Sequence, residues 1–207
     1  MARWRAALAR LGADAGAFTW RYAAFELDPN VPPEGVDRDA YMRGRYDSAT
    51  VKAMGDRLTQ IAQREGLQMA DPATLAVRPS TFAAHRLMTA ALKAGVAEAG
   101  VDSGAGVALQ QALGDALFAA YWSRGEDIGD RRVLTAAARV AGMDPVACDE
   151  VLAGDAHAAE VRAQEGEAAR SGIHAVPTFV FGGRAAVSGA QDPAVLAETA
   201  RRVLNGG

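Results

Sequence analysis

The chain has 207 residues, half of them hydrophobic and 23% charged, enough apolar material for a sizeable core and too much for a disordered chain. A net charge of −3 leaves no excess of Lys and Arg to neutralise phosphates, so nucleic acid is not an expected partner. No apolar run approaches the ~18 residues that would span a bilayer, and the arginines near Met1 precede too little apolar sequence for a secretion signal. A cytoplasmic protein with no membrane partner is expected.

Trp4, Ala7, Leu8 and Leu11 recur at helical spacing, and Gly12 supplies a stop. Arg3, Arg5 and Arg10 then fall on a solvated face. The aromatic and β-branched content of residues 17–27 predicts a strand, which Asp28-Pro29-Asn30 and Pro32-Pro33 end. From about Asp37 to Gly172 the pattern is helical almost throughout. Val51, Met54, Leu58 and Ile61 mark a helix over residues 49–64; further helices are predicted from Ser80 toward Lys93, from Ala105 to Trp122 and from Arg131 to Val140. Asp144-Pro145 is a cap and first-turn pair for a short helix to Leu152, and residues 156–171 form a longer one stopped by Gly172.

The period then changes. Residues 173–181 are short, apolar and β-branched, Gly182-Gly183 predicts a tight hairpin, and residues 184–188 return as a second strand. A last amphipathic helix follows Asp192-Pro193. The order predicts one α/β unit, residues 1–36 and 154–207, interrupted by an all-helical insertion over residues 37–153.

Cys148 is the single cysteine, which excludes an intramolecular disulfide, a Cys-x-x-Cys pair and a cysteine zinc site. His85, His157 and His174 lack metal-ligand spacing, so no metal is expected. Cys148 itself could be a lone redox thiol; its place beside Asp149 and Glu150 favours a structural, apolar-face role.

The stretch from Gly172 to Gln191, with Phe25-Glu-Leu-Asp-Pro-Asn30, Arg78-Pro-Ser-Thr81, Ala84-His-Arg86 and Gly125-Glu-Asp-Ile-Gly-Asp130, resembles DsbA-like oxidoreductases. The similarity is strongest to the FrnE-type branch and more distant to 2-hydroxychromene-2-carboxylate isomerases, and it runs from Ala2 to Leu204. The resemblance implies an α/β thioredoxin-like fold with a large all-helical insertion. It also implies that Val176-Pro177 is a cis step beside the active site, where an isolated X-Pro would ordinarily be trans. Val176 would then pair its backbone with an extended substrate, and His174 would face the same groove.

Relatives begin with a strand and then carry Cys-x-x-Cys, or a serine variant, at the first helix N-terminus, where the dipole stabilises a thiolate. Here the first helix starts at Met1, so the first strand of the sheet and the motif are both missing and no catalytic residue is assigned. In a thioredoxin sheet the missing strand would separate residues 17–27 from residues 178–181, and each buried backbone group it leaves unpaired costs about 1–3 kcal/mol. The expectation is a shortened form of a longer, catalytically complete thiol–disulfide oxidoreductase, inactive in dithiol exchange as written. Two alternatives stand beside it: a glutathione-dependent isomerase or transferase relative, and a non-catalytic binding protein. The expected partner is a protein thiol or disulfide, or a small thiol. No cofactor is required unless glutathione serves, and a homodimer is admitted.

Overall fold

The computed structural model describes residues 1–94 and 104–206, so the part of the helical expectation on residues 95–103 lies outside them. Among the described residues the helices are α1 (Ala2–Leu11), α2 (Arg38–Arg43), α3 (Ser48–Arg64), α4 (Phe82–Lys93), α5 (Ala105–Phe118), α6 (Arg131–Ala141), α7 (Pro145–Ala153), α8 (Ala158–Arg170) and α9 (Pro193–Leu204). Four short strands join them: β1 (Val36–Asp37), β2 (Val77–Arg78), β3 (Thr178–Phe181) and β4 (Ala185–Ser188). Aspartate starts five of the helices. The carboxylates of Asp37, Asp47, Asp130, Asp144 and Asp192 each accept a first-turn N–H, which offsets the unpaired donors that every helix start carries.

The chain divides into two compact units: residues 1–20 with 166–207, and residues 21–165. In the first, α1 and α9 pack together with the β3–β4 hairpin. Its core is Trp4, Ala7, Leu11, Phe181, Leu196, Ala200 and Val203. The Trp4 indole meets Phe18, Phe179 and Phe181 with ring centroids 6.4, 6.1 and 5.7 Å away. Such pairs add roughly 0.5–1.5 kcal/mol each beyond the area they bury. The hairpin turns through Gly182, Gly183 and Arg184, so the returning strand starts at Ala185 and not at the expected Arg184; both glycines have positive φ (56° and 69°), and the Arg184 N–H donates to the Phe181 carbonyl. Two successive positive φ values favour glycine here over any side chain.

The second unit is a helical bundle. α4, α5, α6 and α7 bury Leu87, Leu113, Leu117, Leu134, Ala138, Cys148 and Val151 between them. β1 and β2 form a two-residue antiparallel ladder, Val36 opposite Arg78 and Asp37 opposite Val77.

One predicted strand does not form. Residues 18–27 are extended, but no strand of the described residues pairs with them. Helix side chains take the place of a neighbouring strand. The N–H groups of Tyr22, Ala24 and Glu26, which share one edge of an extended chain, donate to Gln110 Oε1 (2.9 Å), Gln164 Oε1 (2.8 Å) and Glu165 Oε1 (3.2 Å). Gln110 Nε2 returns a bond to the Tyr22 carbonyl at 3.1 Å, so one side-chain amide supplies both halves of a ladder rung. Close packing fixes the position further, because a Cβ on Gly114 would lie 2.6 Å from the Tyr22 ring.

Candidate functional site

Residues 173–177 were expected to continue the strand, but the ladder begins only at Thr178. Pro177 has no N–H to offer and the Val176–Pro177 peptide bond is cis. Across it the Thr178 hydroxyl donates to the Ala175 carbonyl at 2.7 Å, closing a tight turn. His174, Val176 and Pro177 all sit exposed on this loop, Val176 with half its surface open.

The register of the hairpin decides which backbone groups stay open. Phe179 lies opposite Val187 and Phe181 opposite Ala185, and the Gly189 N–H donates to the Pro177 carbonyl at 2.8 Å. Residues 177, 179 and 181 therefore turn their polar backbone groups toward β4. Alternation then directs those of Thr178 and Val180 to the opposite, outer edge, where no other strand of the described residues pairs. The two valines frame that edge, with Val180 54% and Val176 50% exposed. A short edge strand with exposed β-branched residues is a template for one more extended chain.

Cys148 lies elsewhere, in α7, and is 2% exposed. Burial pushes its thiol above the usual value; Thr135 hydrogen-bonds it and works the other way, while the Asp149 carboxylate adds to the rise. A neutral, enclosed thiol is a poor nucleophile.

His85 Nε2 lies 3.2 Å from the Phe25 carbonyl, consistent with an N–H donor that fixes the extended segment on its other side. Burial pulls its pKa below the ordinary histidine value, so it stays neutral and structural at physiological pH. Beside it, Glu26 is buried and shares the Arg162 guanidinium with Glu165, at 2.6 and 2.8 Å. Burial raises the Glu26 carboxyl above its usual value; the Arg162 hydrogen bond acts against this. No spacing or motif announces this pair or the Gln110 and Gln164 clamps, which lie far along the chain from the segment they hold. Among the described residues no group of three or more His, Cys, Asp or Glu side chains is placed to hold a metal.

The model of the DSBA-like thioredoxin domain matches residues 4–201. A crystal structure from Streptomyces coelicolor, described as a probable DsbA oxidoreductase, is 27% identical with a TM-score of 0.79; the match covers 99% of this chain and 84% of that one. A 2-hydroxychromene-2-carboxylate isomerase structure is 20% identical with a TM-score of 0.60, covering 100% of this chain and 92% of its own, a likeness of fold alone. No curated protein matches significantly. The chain belongs to the DSBA-like thioredoxin domain family.

Proposed function

We propose that this member of the DSBA-like thioredoxin family binds an extended, thiol-bearing peptide along the outer edge of β3. The reading places its role within thiol–disulfide chemistry, with Val176, Thr178 and Val180 holding the substrate backbone. The observation that carries it is the parity of the hairpin, which turns the backbone groups of Thr178 and Val180 to an outer edge, led by Val176 and Pro177, that no other strand of the described residues covers. Peptides add to such edges through main-chain bonds, and side chains at alternate positions supply the selectivity. Exposed Val176 and Val180 favour an apolar residue at each facing position of the peptide.

The 207 residues supply no dithiol. Disulfide exchange needs an attacking thiolate and a second thiol to resolve the mixed disulfide. Cys148 is buried with a raised pKa, so it does neither for a bound peptide. The isomerase reading has only the likeness of fold in its favour.

Blocking the edge tests the proposal. The Val180 N–H faces outward, so proline there removes a donor to the peptide and none to β4. Val180→Pro is expected to weaken binding of a fluorescein-labelled extended peptide by about tenfold, the effect of one or two lost hydrogen bonds, while the melting temperature changes little. Unchanged anisotropy titrations in a folded Val180→Pro protein would remove β3 from the substrate site. In an insulin-reduction assay both the unsubstituted chain and Cys148→Ser are expected to be inactive.

A further inference from the structure

We infer that β3 reads an ordered pair of side chains in a bound peptide: a ring facing Val180 and, two residues on, a hydroxyl facing Thr178. The inference rests on the edge-binding reading above and names the class of sequence that the edge selects.

Alternation along the strands separates the two faces of the hairpin. Phe179 and Phe181 point into the core around Trp4, and Ala185 and Val187 pack on the same side. Thr178 and Val180, with Ser188 and Ala186 opposite them on β4, therefore share the other face. Val180, Ala186 and Ser188 are exposed there, and Thr178 is half-buried. Two cross-strand rows result: an apolar one of Val180 and Ala186, and a hydroxyl one of Thr178 and Ser188.

A strand added antiparallel to the outer edge of β3 sets its residues opposite Thr178 and Val180, with Cα atoms about 5.5 Å apart. Side chains that face each other in this way lie on one face and interact. Behind Val180 stands only the Ala186 methyl, so a ring opposite Val180 has room to lean across both. An aromatic residue against a β-branched one is a favourable cross-strand pair. Thr178 sets a stricter condition. Its hydroxyl hydrogen is already given to the Ala175 carbonyl at 2.7 Å, which leaves the oxygen as an acceptor, so the facing residue must bring the hydrogen. Serine and threonine do so. Valine has the shape of threonine without the donor, and an aspartate carboxylate sets one acceptor against another. Antiparallel addition is slightly stronger per residue than parallel, and it runs the peptide against β3, which gives the order aromatic-x-hydroxyl.

Anisotropy titrations with one thiol-bearing host peptide in five versions test the order. Phe-x-Thr is expected to bind about threefold tighter than Ala-x-Thr and than Phe-x-Val, each ratio being the worth of one cross-strand pair. Phe-x-Asp should be weaker than Phe-x-Val, and Thr-x-Phe weaker than Phe-x-Thr. Val180→Thr keeps the branched shape and removes the apolar contact, so it is expected to bring the ratio of Phe-x-Thr to Ala-x-Thr close to one. Circular dichroism of that variant separates a lost preference from a lost fold. Equal affinities for all five peptides, each weakened by Val180→Pro, overturn this inference and leave the edge-binding reading standing. Affinities that Val180→Pro leaves unchanged remove both. A tighter Thr-x-Phe overturns the antiparallel order, and a preference for phenylalanine that survives Val180→Thr overturns the role of Val180.

Discussion

Arg86→Met is expected to destabilise the protein by about 3 kcal/mol or more. Arg86 is 8% exposed and no carboxylate of the described residues pairs with it. Its guanidinium spans the end of α7 instead. Nε donates to the Ala156 carbonyl at 2.8 Å, and Nη2 donates to Gly154 at 2.6 Å and to Val151. The Val151 carbonyl is among the four that a helix end leaves unpaired, and the negative end of the helix dipole favours a cation there. Methionine keeps most of the volume and removes every donor, stranding the buried Val151 carbonyl at about 1–3 kcal/mol and losing the part-buried bonds to Gly154 and Ala156 at about 1 kcal/mol each. Arg86→Lys should recover less than half, because one ammonium does not reproduce a planar fork spanning three acceptors. Urea denaturation of the three proteins measures both effects. A methionine variant within about 1 kcal/mol of the parent would mean that the α7 end is satisfied without Arg86.

Gln110→Leu is expected to cost about 2–4 kcal/mol, from the loss of both bonds to the Tyr22 backbone, and to loosen one segment selectively. Gln110 is 2% exposed on α5 and makes three bonds: one from the Tyr22 N–H, one to the Tyr22 carbonyl and one to the Met88 carbonyl at 3.2 Å. Leucine fills the space and takes away the bonds to the Tyr22 N–H and carbonyl, while the Met88 carbonyl keeps its place in the α4 ladder. The loss should also appear locally, as faster amide exchange at Tyr22 than in the middle of α5. Gln110→Glu keeps the acceptor for Tyr22 N–H and loses both donated bonds, so its Tyr22 amide should stay protected longer than in the leucine variant. Equal acceleration in both, or none, would show that Gln110 does not stand in for a strand.

The helices were legible in the sequence because two independent signals coincide in them. Apolar spacing places α1 and α6, and Asp-Pro pairs place the starts of α7 and α9, where the aspartates do cap the first turn. The glycine pair at 182–183 likewise fixed the hairpin, since two successive positive φ values exclude most other residues. Residues 18–27 show where such reading stops. Aromatic and β-branched content predicts an extended backbone, and the backbone is extended; it does not predict the partner. The partners are Gln110, Gln164 and Glu165, polar side chains far along the chain on helices whose periodicity reveals only the apolar face.

The candidate edge was half legible. Val176-Pro177 stood out through the family resemblance, but which residues of β3 face outward depends on the register set by the hairpin, and one residue of slip would exchange them.

Amide exchange across β3, followed by NMR with and without an extended thiol-bearing peptide, reads the outer edge residue by residue. The Thr178 and Val180 amides are expected to slow on peptide addition, while Phe179 and Phe181, already turned toward β4, keep their rates. Saturating peptide that leaves Thr178 and Val180 unchanged, or protects only residues outside β3, would contradict binding along that edge.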